Sequence, residues 1–420
     1  MRRKILKIIE SYLQFLARWK VRRAKPKIVA ISGSYGKTLT KEAVFLVLSK
    51  KFGKDVGKNW GNMNSTLGLP LAILGLKNYT FGAGFLLDLI KAKWGFFFHK
   101  LPKILVLELG IDKPGEMGRL LKIVTPNIAV ITGISETHLE GFMNIDGVKK
   151  EKELLLHALP KDGIAIISAD DENSKNFEIS EGVKIIFVGK SGDISYSNLE
   201  VSISGTTFDL KIGGQIIQIN SKLLGRHQIQ ALLIASAVAK ELGVEIEKIK
   251  SALEEIMPEK GRMNPLKIKN GIVIIDDSYN SNPKSAEEAL STLSKIKYSG
   301  RKVAVLGNMN ELGSYEKEGH LRVGRVAGKI VDLLIAVGDN AQFIARGAKE
   351  SENLKNQIVT FKTTDEAIRE IKNYLHPTDL VLVKGSQNRV RLEKLIKYLI
   401  DDDKFAEKVL VRQERKWENR

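Results

Sequence analysis

The ten residues from Val29 to Thr38, Val-Ala-Ile-Ser-Gly-Ser-Tyr-Gly-Lys-Thr, constrain this chain more than any other stretch. An apolar, β-branched run from Ile28 to Ile31 breaks into a glycine loop and restarts at Thr40 with helical periodicity. The pattern predicts a strand, a glycine loop and a helix N-terminus. Such a loop turns the amides of Gly33, Ser34, Tyr35 and Gly36 towards phosphate oxygens, and the helix end adds a favourable dipole. Lys37 is then placed for the β- and γ-phosphates and the Thr38 hydroxyl for Mg²⁺. The spacing departs from the general phosphate-loop pattern, because the position that pattern gives to its first glycine is Ile31. The plain alternative is a structural glycine turn.

With 420 residues there is room for two or three domains with full cores. The absence of cysteine excludes a disulfide scaffold and a thiolate metal site, and makes a reducing compartment the expectation. No signal peptide is evident. The net charge of +18 points to an anionic partner, nucleotide, acidic lipid or nucleic acid, or to a lysine-rich solvated surface.

Residues 1–27 hold ten Lys or Arg and one acidic residue. Ile5, Ile8, Ile9, Tyr12, Phe15, Leu16 and Trp19 recur at helical spacing, so the segment reads as a basic amphipathic helix. Its stripe either docks on the protein's own body or lies on an anionic membrane. Residues 81–98, with Trp94 and Phe96 to Phe98 interrupted by Asp88, Lys91 and Lys93, read as a second interfacial patch or as an inserted helical hairpin. Both segments are too charged to span a bilayer. The loop from Gly57 to Pro70 is dense in Gly and Asn, so its amides, those of Asn62 and Asn64 included, are candidates to read a polar ligand.

Two further buried-type strands end in groups suited to a metal-bound nucleotide. Lys103 to Glu108 ends in a carboxylate, and ligands of an α/β sheet sit beyond the carboxyl ends of its strands. Asn127 to Thr132 runs on towards His138, a candidate ligand for a second metal. Asp146 to Leu159 reads as a helix and Gly163 to Ser168 as a strand. Lys184 to Val188, Tyr196 to Ile203, Phe208 to Ile212 and Ile216 to Ile219 read as β-hairpins at the edge of the domain.

Taken in order, Gly-Ser-Tyr-Gly-Lys-Thr at 33–38, Glu-Leu-Gly at 108–110, Thr-His-Leu-Glu-Gly-Phe at 137–142 and Glu-Lys-Glu-Leu at 151–154 resemble the Mur ligase family. These ATP-dependent enzymes form the amide bonds of the peptidoglycan peptide stem. The resemblance implies that Thr38 and Glu108 hold one Mg²⁺ and that His138 and Glu108 help hold another. It also implies that Lys152, shortly before Pro160, is a carbamylated lysine. Carbamylation turns an ammonium that would repel Mg²⁺ into an anionic oxygen ligand. The catalytic set is therefore Lys37, Glu108, His138 and Lys152. Gly225-Arg-His-Gln resembles the family's Gly-x-His-Asn segment near the adenine, with Gln228 where Asn is usual.

Beyond Gly261 and Arg262, which look like a hinge, strand and helix patterns alternate. Candidate strands are Ile272 to Asp276, Lys302 to Leu306, Leu333 to Val337, Gln357 to Phe361 and Leu380 to Lys384. The expected fold class is α/β, with a P-loop central ATPase domain on a mostly parallel sheet and a C-terminal Rossmann-like, doubly wound domain. The expected boundaries are 1–27 for the basic helix, 28–260 for the ATPase domain, 261–402 for the C-terminal domain and 403–420 for a charged tail. The resemblance places Arg262, Asp277 and Asn280 at ATP, and Asn62, Asn64, Glu311, Lys384 and Ser386 at substrates. The strings at 276–283, 307–313 and 383–386 most resemble the member that adds D-alanyl-D-alanine, though Asn308 and Gln387 depart from its usual Asp and Arg.

The reaction that the resemblance implies joins a peptidoglycan-precursor carboxylate to an amine through an acyl phosphate. Its requirements are ATP, two Mg²⁺ ions and carbamylated Lys152; no nucleic-acid partner is expected. The location implied is cytoplasmic, with peripheral membrane contact through residues 1–27 and 81–98 as one reading. Only 27 residues precede the first strand, too few for the N-terminal domain with which that member grips a UDP-linked sugar. The alternatives are a related ligase, of the folylpolyglutamate or cyanophycin synthetase type, and a non-catalytic ATP-binding scaffold.

Overall fold

The structure, a computed structural model, describes residues 2–80, 84–135, 139–142, 144–174, 176–269, 271–351, 357–387, 390–414 and 417. The chain opens with α1 (Arg2–Ala24), β1 (Lys27–Ser32), α2 (Lys37–Phe52), β2 (Val56–Lys58), α3 (Gly68–Ile73), α4 (Gly84–Phe98) and β3 (Ile104–Glu108). Next come α5 (Glu116–Leu121), β4 (Ile128–Ile131), α6 (Leu139–Phe142), α7 (Ile145–His157), β5 (Ile164–Ser168) and β6 (Lys184–Val188). Three strands follow, β7 (Ser195–Ser202), β8 (Gly205–Ile212) and β9 (Gln215–Ser221), then α8 (Arg226–Glu241) and α9 (Ile246–Glu255). The remainder is β10 (Asn264–Lys267), β11 (Val273–Asp277), α10 (Pro283–Lys295), β12 (Lys302–Gly307), α11 (Glu316–Ile330), β13 (Leu333–Val337) and α12 (Ala341–Lys349). It ends with β14 (Gln357–Phe361), α13 (Thr364–Glu370), β15 (Leu380–Lys384), α14 (Glu393–Ile400) and α15 (Asp403–Val409).

The chain divides into two compact units. Unit 1 comprises residues 1–197, 209–219 and 230–254, and unit 2 comprises residues 198–208, 220–229 and 255–420. Gly261 and Arg262, read from sequence as a hinge, therefore lie inside unit 2, where Tyr279 N donates to Gly261 O at 3.1 Å.

In unit 1 a six-stranded sheet runs β2-β3-β1-β4-β5-β6, parallel throughout. Strands such as β1, β3 and β4 are buried along nearly their whole length, as a parallel sheet covered on both faces requires. Lys184 to Val188 is the edge strand β6, paired in parallel with β5, and not an arm of a hairpin. The sequence did suggest the small sheet β7-β8-β9, which is separate from the six-stranded one.

In unit 2 the order is β10-β11-β15-β12-β13-β14, parallel except for β10 against β11. Two apolar clusters line the faces of this sheet. Residues 403–420 were expected to be a charged tail, but α15 forms there and buries Ala406 and Leu410 in one of those clusters. Arg412 then bonds Ser278 O at 3.3 Å and Glu393 Oε2 at 3.3 Å.

The basic N-terminal helix packs through Leu13, Leu16, Ala17 and Val21, whereas Ile8, Tyr12, Phe15 and Trp19 of the expected stripe face solvent. The docking face and the aromatic stripe are thus two different sides of α1. Among the described residues, no helix is long and apolar enough to cross a membrane.

Candidate active site

Parallel pairing sets the geometry of the first group. Ile31 of β1 lies opposite Glu108 of β3, and Ser32 opposite Ile131 of β4, so the glycine loop leaves the sheet between two strand tips. Gly36 is left-handed at φ 72° and starts α2 directly at Lys37. A Cβ on Gly33 would come within 2.0 Å of Thr132 Oγ1, and one on Gly133 within 2.2 Å of the Tyr35 hydroxyl. Only glycine lets the two loops interleave so closely. Ser34 N donates to Gly133 O at 2.8 Å, and Lys37 Nζ donates to Gly33 O at 2.8 Å. Thr38 is half-buried on the first turn of α2.

Glu108 is buried and held from three sides. Asn59 clamps its backbone with two 2.9 Å bonds, one to the carbonyl and one from the amide. Asn64 Nδ2 donates to Oε1 at 2.8 Å. The other oxygen, Oε2, accepts no hydrogen bond, and lies 3.6 Å from Lys41 Nζ. Asn62 is exposed.

Sequence reasoning missed Lys41. A lysine on an amphipathic helix ordinarily faces water, but this one is fully buried, its ammonium 3.6 Å from both Glu42 and Glu108. The signal was its position one turn after Thr38, on the face that meets β3. Lys41→Met is expected to lower stability by about 2 kcal/mol, because a buried carboxylate loses its counter-charge. Denaturant unfolding checks this, and adding Glu108→Gln should restore part of the loss; additive effects would mean that the two groups are independent.

Lys152 lies on α7, 1% exposed. Its neighbour Glu151 accepts from Gly115 N at 2.9 Å and Met117 N at 2.8 Å, which pins α7 to the start of α5 and to the loop after Glu108. Burial pushes the Lys152 amine well below the ordinary lysine value, and the charge of Lys37 adds to the fall, while Asp112 and Glu151 pull the other way. The phosphate loop, the β3 tip and Lys152 therefore come together in unit 1. His138 lies outside the described residues. Asp171 holds the loop that leads towards it, accepting from Ile134 N at 2.8 Å.

The second group forms in unit 2. Lys384 lies opposite Asp277 in the β11–β15 register, and its Nζ donates to Asp277 Oδ2 at 2.6 Å and to Asn280 O at 3.0 Å. Asp277 Oδ1 accepts from Met263 N at 3.2 Å. Arg262 stacks on Tyr279, its guanidinium carbon 4.1 Å from the ring centre. Gln228 is buried and donates to Arg262 O at 3.0 Å, leaving Oε1 without a hydrogen-bond partner. Thus Gln228, Arg262, Asp277, Asn280 and Lys384 converge. Lys384 and Ser386, expected at the substrate, are both buried with polar atoms engaged inside unit 2; Ser386 Oγ bridges Ser281 O and Asn310 N, each at 3.1 Å. Glu311 is exposed, in a left-handed conformation at φ 64°.

Asp276, beside this cluster, is fully buried. Desolvation, with Asp277 and Glu393 nearby, pushes its carboxyl up to about 6, against the pull of its bonds with Ser278. A raised folded pKa means that the native state binds this proton more tightly than the unfolded chain does. Between about pH 4 and 6, stability therefore falls as pH rises. Asp276→Asn should remove that slope, so the difference in unfolding free energy between variant and parent should change in this window and be flat above it.

A family model described as "Mur ligase middle domain" matches residues 31–239, and one described as "Mur ligase, glutamate ligase domain" matches residues 261–387. Among curated relatives, the UDP-N-acetylmuramoyl-tripeptide–D-alanyl-D-alanine ligase of Haemophilus influenzae is 30% identical over 92% of this chain and 79% of its own. That of Bacillus subtilis is 28% identical, over 93% and 79% respectively. The fold is similar to a crystal structure of MurF from Acinetobacter baumannii, with a TM-score of 0.80, 27% identity and coverage of 94% of this chain and 81% of that one. It is also similar to the MurF ligase of Thermotoga maritima in complex with ADP, with a TM-score of 0.77, 25% identity and coverage of 95% and 84%.

Proposed function

Because this chain belongs to the Mur ligase family, we propose that it is an ATP-dependent, ADP-forming peptide ligase that joins D-alanyl-D-alanine to a UDP-N-acetylmuramoyl tripeptide. The observation that supports this reading is that the glycine loop and Glu108 lie at the carboxyl ends of adjacent parallel strands, with buried Lys152 close enough to Lys37 to feel its charge. In this reaction class a substrate carboxylate displaces ADP from the γ-phosphorus of ATP, and the amine then displaces phosphate from the acyl carbon, losing a proton to solvent.

The residues fit the cofactors of the reading. Glu108 Oε2, buried and without a hydrogen bond, suits a divalent cation, with the Thr38 hydroxyl and His138 as further ligands. Lys152 is buried and driven towards the neutral amine, the form that adds CO₂ to give a carbamate. Bound Mg²⁺ would neutralise the triphosphate oxygens as charge develops on them. The chain's own contributions are positional. The loop amides from Gly33 to Lys37 bind phosphate oxygens, and Lys37 adds a full charge. Asn64 and Asn59 hold Glu108 in one orientation, and Glu151 anchors α7, which carries Lys152, to the start of α5. Gln228, Arg262, Asp277 and Asn280 contribute nucleotide contacts, Asn62 and Glu311 substrate contacts, with Lys384 and Ser386 holding the shape of that cluster.

The test is ADP release with ATP, Mg²⁺, UDP-N-acetylmuramoyl tripeptide and D-alanyl-D-alanine. ADP and the amide product should form in equal amounts, and only when both acceptor and donor are present. Release of ADP without amide, or no release, would overturn the assignment.

A further inference from the structure

Two helices of unit 1 carry an apolar surface that the ligase reading does not use. Of the large apolar side chains exposed among the described residues, most lie on α1 and α4. On α1, Ile8, Tyr12, Phe15 and Trp19 share one face at i, i+4, i+7 and i+11, with Ile8 69% exposed, while exposed Leu6 lies off that face. On α4 they are Leu86, Leu87, Ile90, Trp94, Phe97 and Phe98, with Phe98 71% exposed. Both sets are single stripes at helical spacing. They are joined: the ring of Trp19 lies 5.1 Å from Phe96, Phe96 lies 5.0 Å from Phe97, and Trp94 stacks on Phe98 at 5.3 Å.

This surface is built. Lys20 is buried between the helices and donates to the carbonyls of Gly95 and Phe96, closing the last turn of α4 with a positive charge. Gly95 sits so close to α3 that a Cβ would fall 1.7 Å from Leu74 O. Asp88 accepts from Thr80 N at 2.7 Å and Thr80 Oγ1 at 2.8 Å, fixing the start of the helix. Beneath the stripes, Leu13, Leu16, Leu71, Leu74 and Ala92 form a core of their own. The opposite faces of α1 and α4 are therefore satisfied, and the stripes are surplus to folding.

The charge around the stripes selects the occupant. On both helices, every exposed ionisable side chain among the described residues is basic: Lys7, Arg18, Arg22 and Arg23 on α1, Lys91 and Lys93 on α4. The two acidic residues are withdrawn, Asp88 by burial and Glu10 by partial burial and a 3.0 Å bond from Gln14. Arg23 further lies 5.4 Å over the ring of Trp19. A protein partner with an apolar face would not call for an unbroken basic rim. An interface of lipid chains under anionic headgroups asks for both, with Trp and Tyr at the boundary.

We propose that the α1–α4 face docks the protein peripherally on an anionic lipid bilayer, with the aromatic and aliphatic stripes in the headgroup region and the Arg and Lys side chains on lipid phosphates. The full chain is floated with vesicles of phosphatidylcholine alone, or of about three parts phosphatidylcholine to one of phosphatidylglycerol, without substrates. It should float with the anionic vesicles, less so at high salt, and stay at the bottom with neutral ones. Phe15→Ser combined with Phe97→Ser and Phe98→Ser, and separately Arg18→Glu with Arg22→Glu and Lys93→Glu, should each cut recovery about tenfold. Both sets should keep the parent's melting temperature and ADP release in solution. Failure to float with anionic vesicles, or equal flotation with neutral ones, would overturn the proposal. So would a dimer by light scattering that the serine variants dissolve, since a second copy would then cover the face. Because binding is read without substrates, its failure is separate from failure of the ligase assignment.

Discussion

Lys152→Ala is expected to reduce amide formation and the coupled ADP release at least about 100-fold, equivalent to about 3 kcal/mol of lost stabilisation. The side chain sits 1% exposed on α7, with Glu151 bonded to the start of α5 and with Lys37 close enough to depress its basicity. Alanine removes the buried amine and with it any carbamate oxygen. On the same helix Lys149 is engaged with Asn176 O at 3.0 Å and Lys150 is exposed, so neither should substitute. The fold should survive, because a desolvated amine contributes little to stability; melting temperature provides the control. A carbamate role also predicts partial rescue by small carboxylic acids, and loss of parent activity when dissolved CO₂ is stripped, restored by bicarbonate. Full activity in the alanine variant would remove Lys152 from the mechanism.

Lys37→Met should have an effect of the same order, a fall in kcat/KM of roughly 100- to 1000-fold, through a different route. Lys37 starts α2 directly after left-handed Gly36, and its ammonium already reaches back over the loop to Gly33 O. Methionine keeps the helix and the length of the side chain while removing the charge that faces the phosphates. ATP titration by calorimetry should show weakened binding together with the lost rate. An unchanged affinity for ATP, with normal turnover, would mean that the loop does not hold the triphosphate.

Much of this was legible in the sequence, for reasons that differ from residue to residue. The strand–loop–helix at Val29 to Thr38 could be read because the residue pattern changes period across two glycines, Gly33, where Thr132 leaves no room for a Cβ, and Gly36, which is left-handed. Glu108 could be placed because a buried-type strand ends in a carboxylate, and parallel pairing with β1 then fixes where that carboxylate goes. Strand β2 escaped notice because it is three residues long and pairs only with β3. Strand β10 escaped because Pro265 sits inside it, which an antiparallel edge accepts. Lys41 left only its place one turn after Thr38 as a signal, because its burial depends on Glu108, brought beside it by tertiary structure and not by local pattern. The same holds for Lys152, which only the family resemblance distinguished from the other lysines of α7. The stripe on α1 was found as a stripe with its neighbour left open, since periodicity identifies an apolar face without saying what meets it; in the structure Leu16 of that stripe is buried and Ile8, Tyr12, Phe15 and Trp19 are exposed.

The position of β1 between β3 and β4 has a consequence for how the protein is made. During synthesis the glycine loop emerges first, yet both strands that flank it lie well downstream and arrive by crossover connections. Pairing of this kind pays its loop-closure entropy before any contact rewards it. A nascent chain stopped short of Glu108 and Ile131 would expose the apolar edges of β1 to chaperones, and would bind no nucleotide until the later strands had been translated.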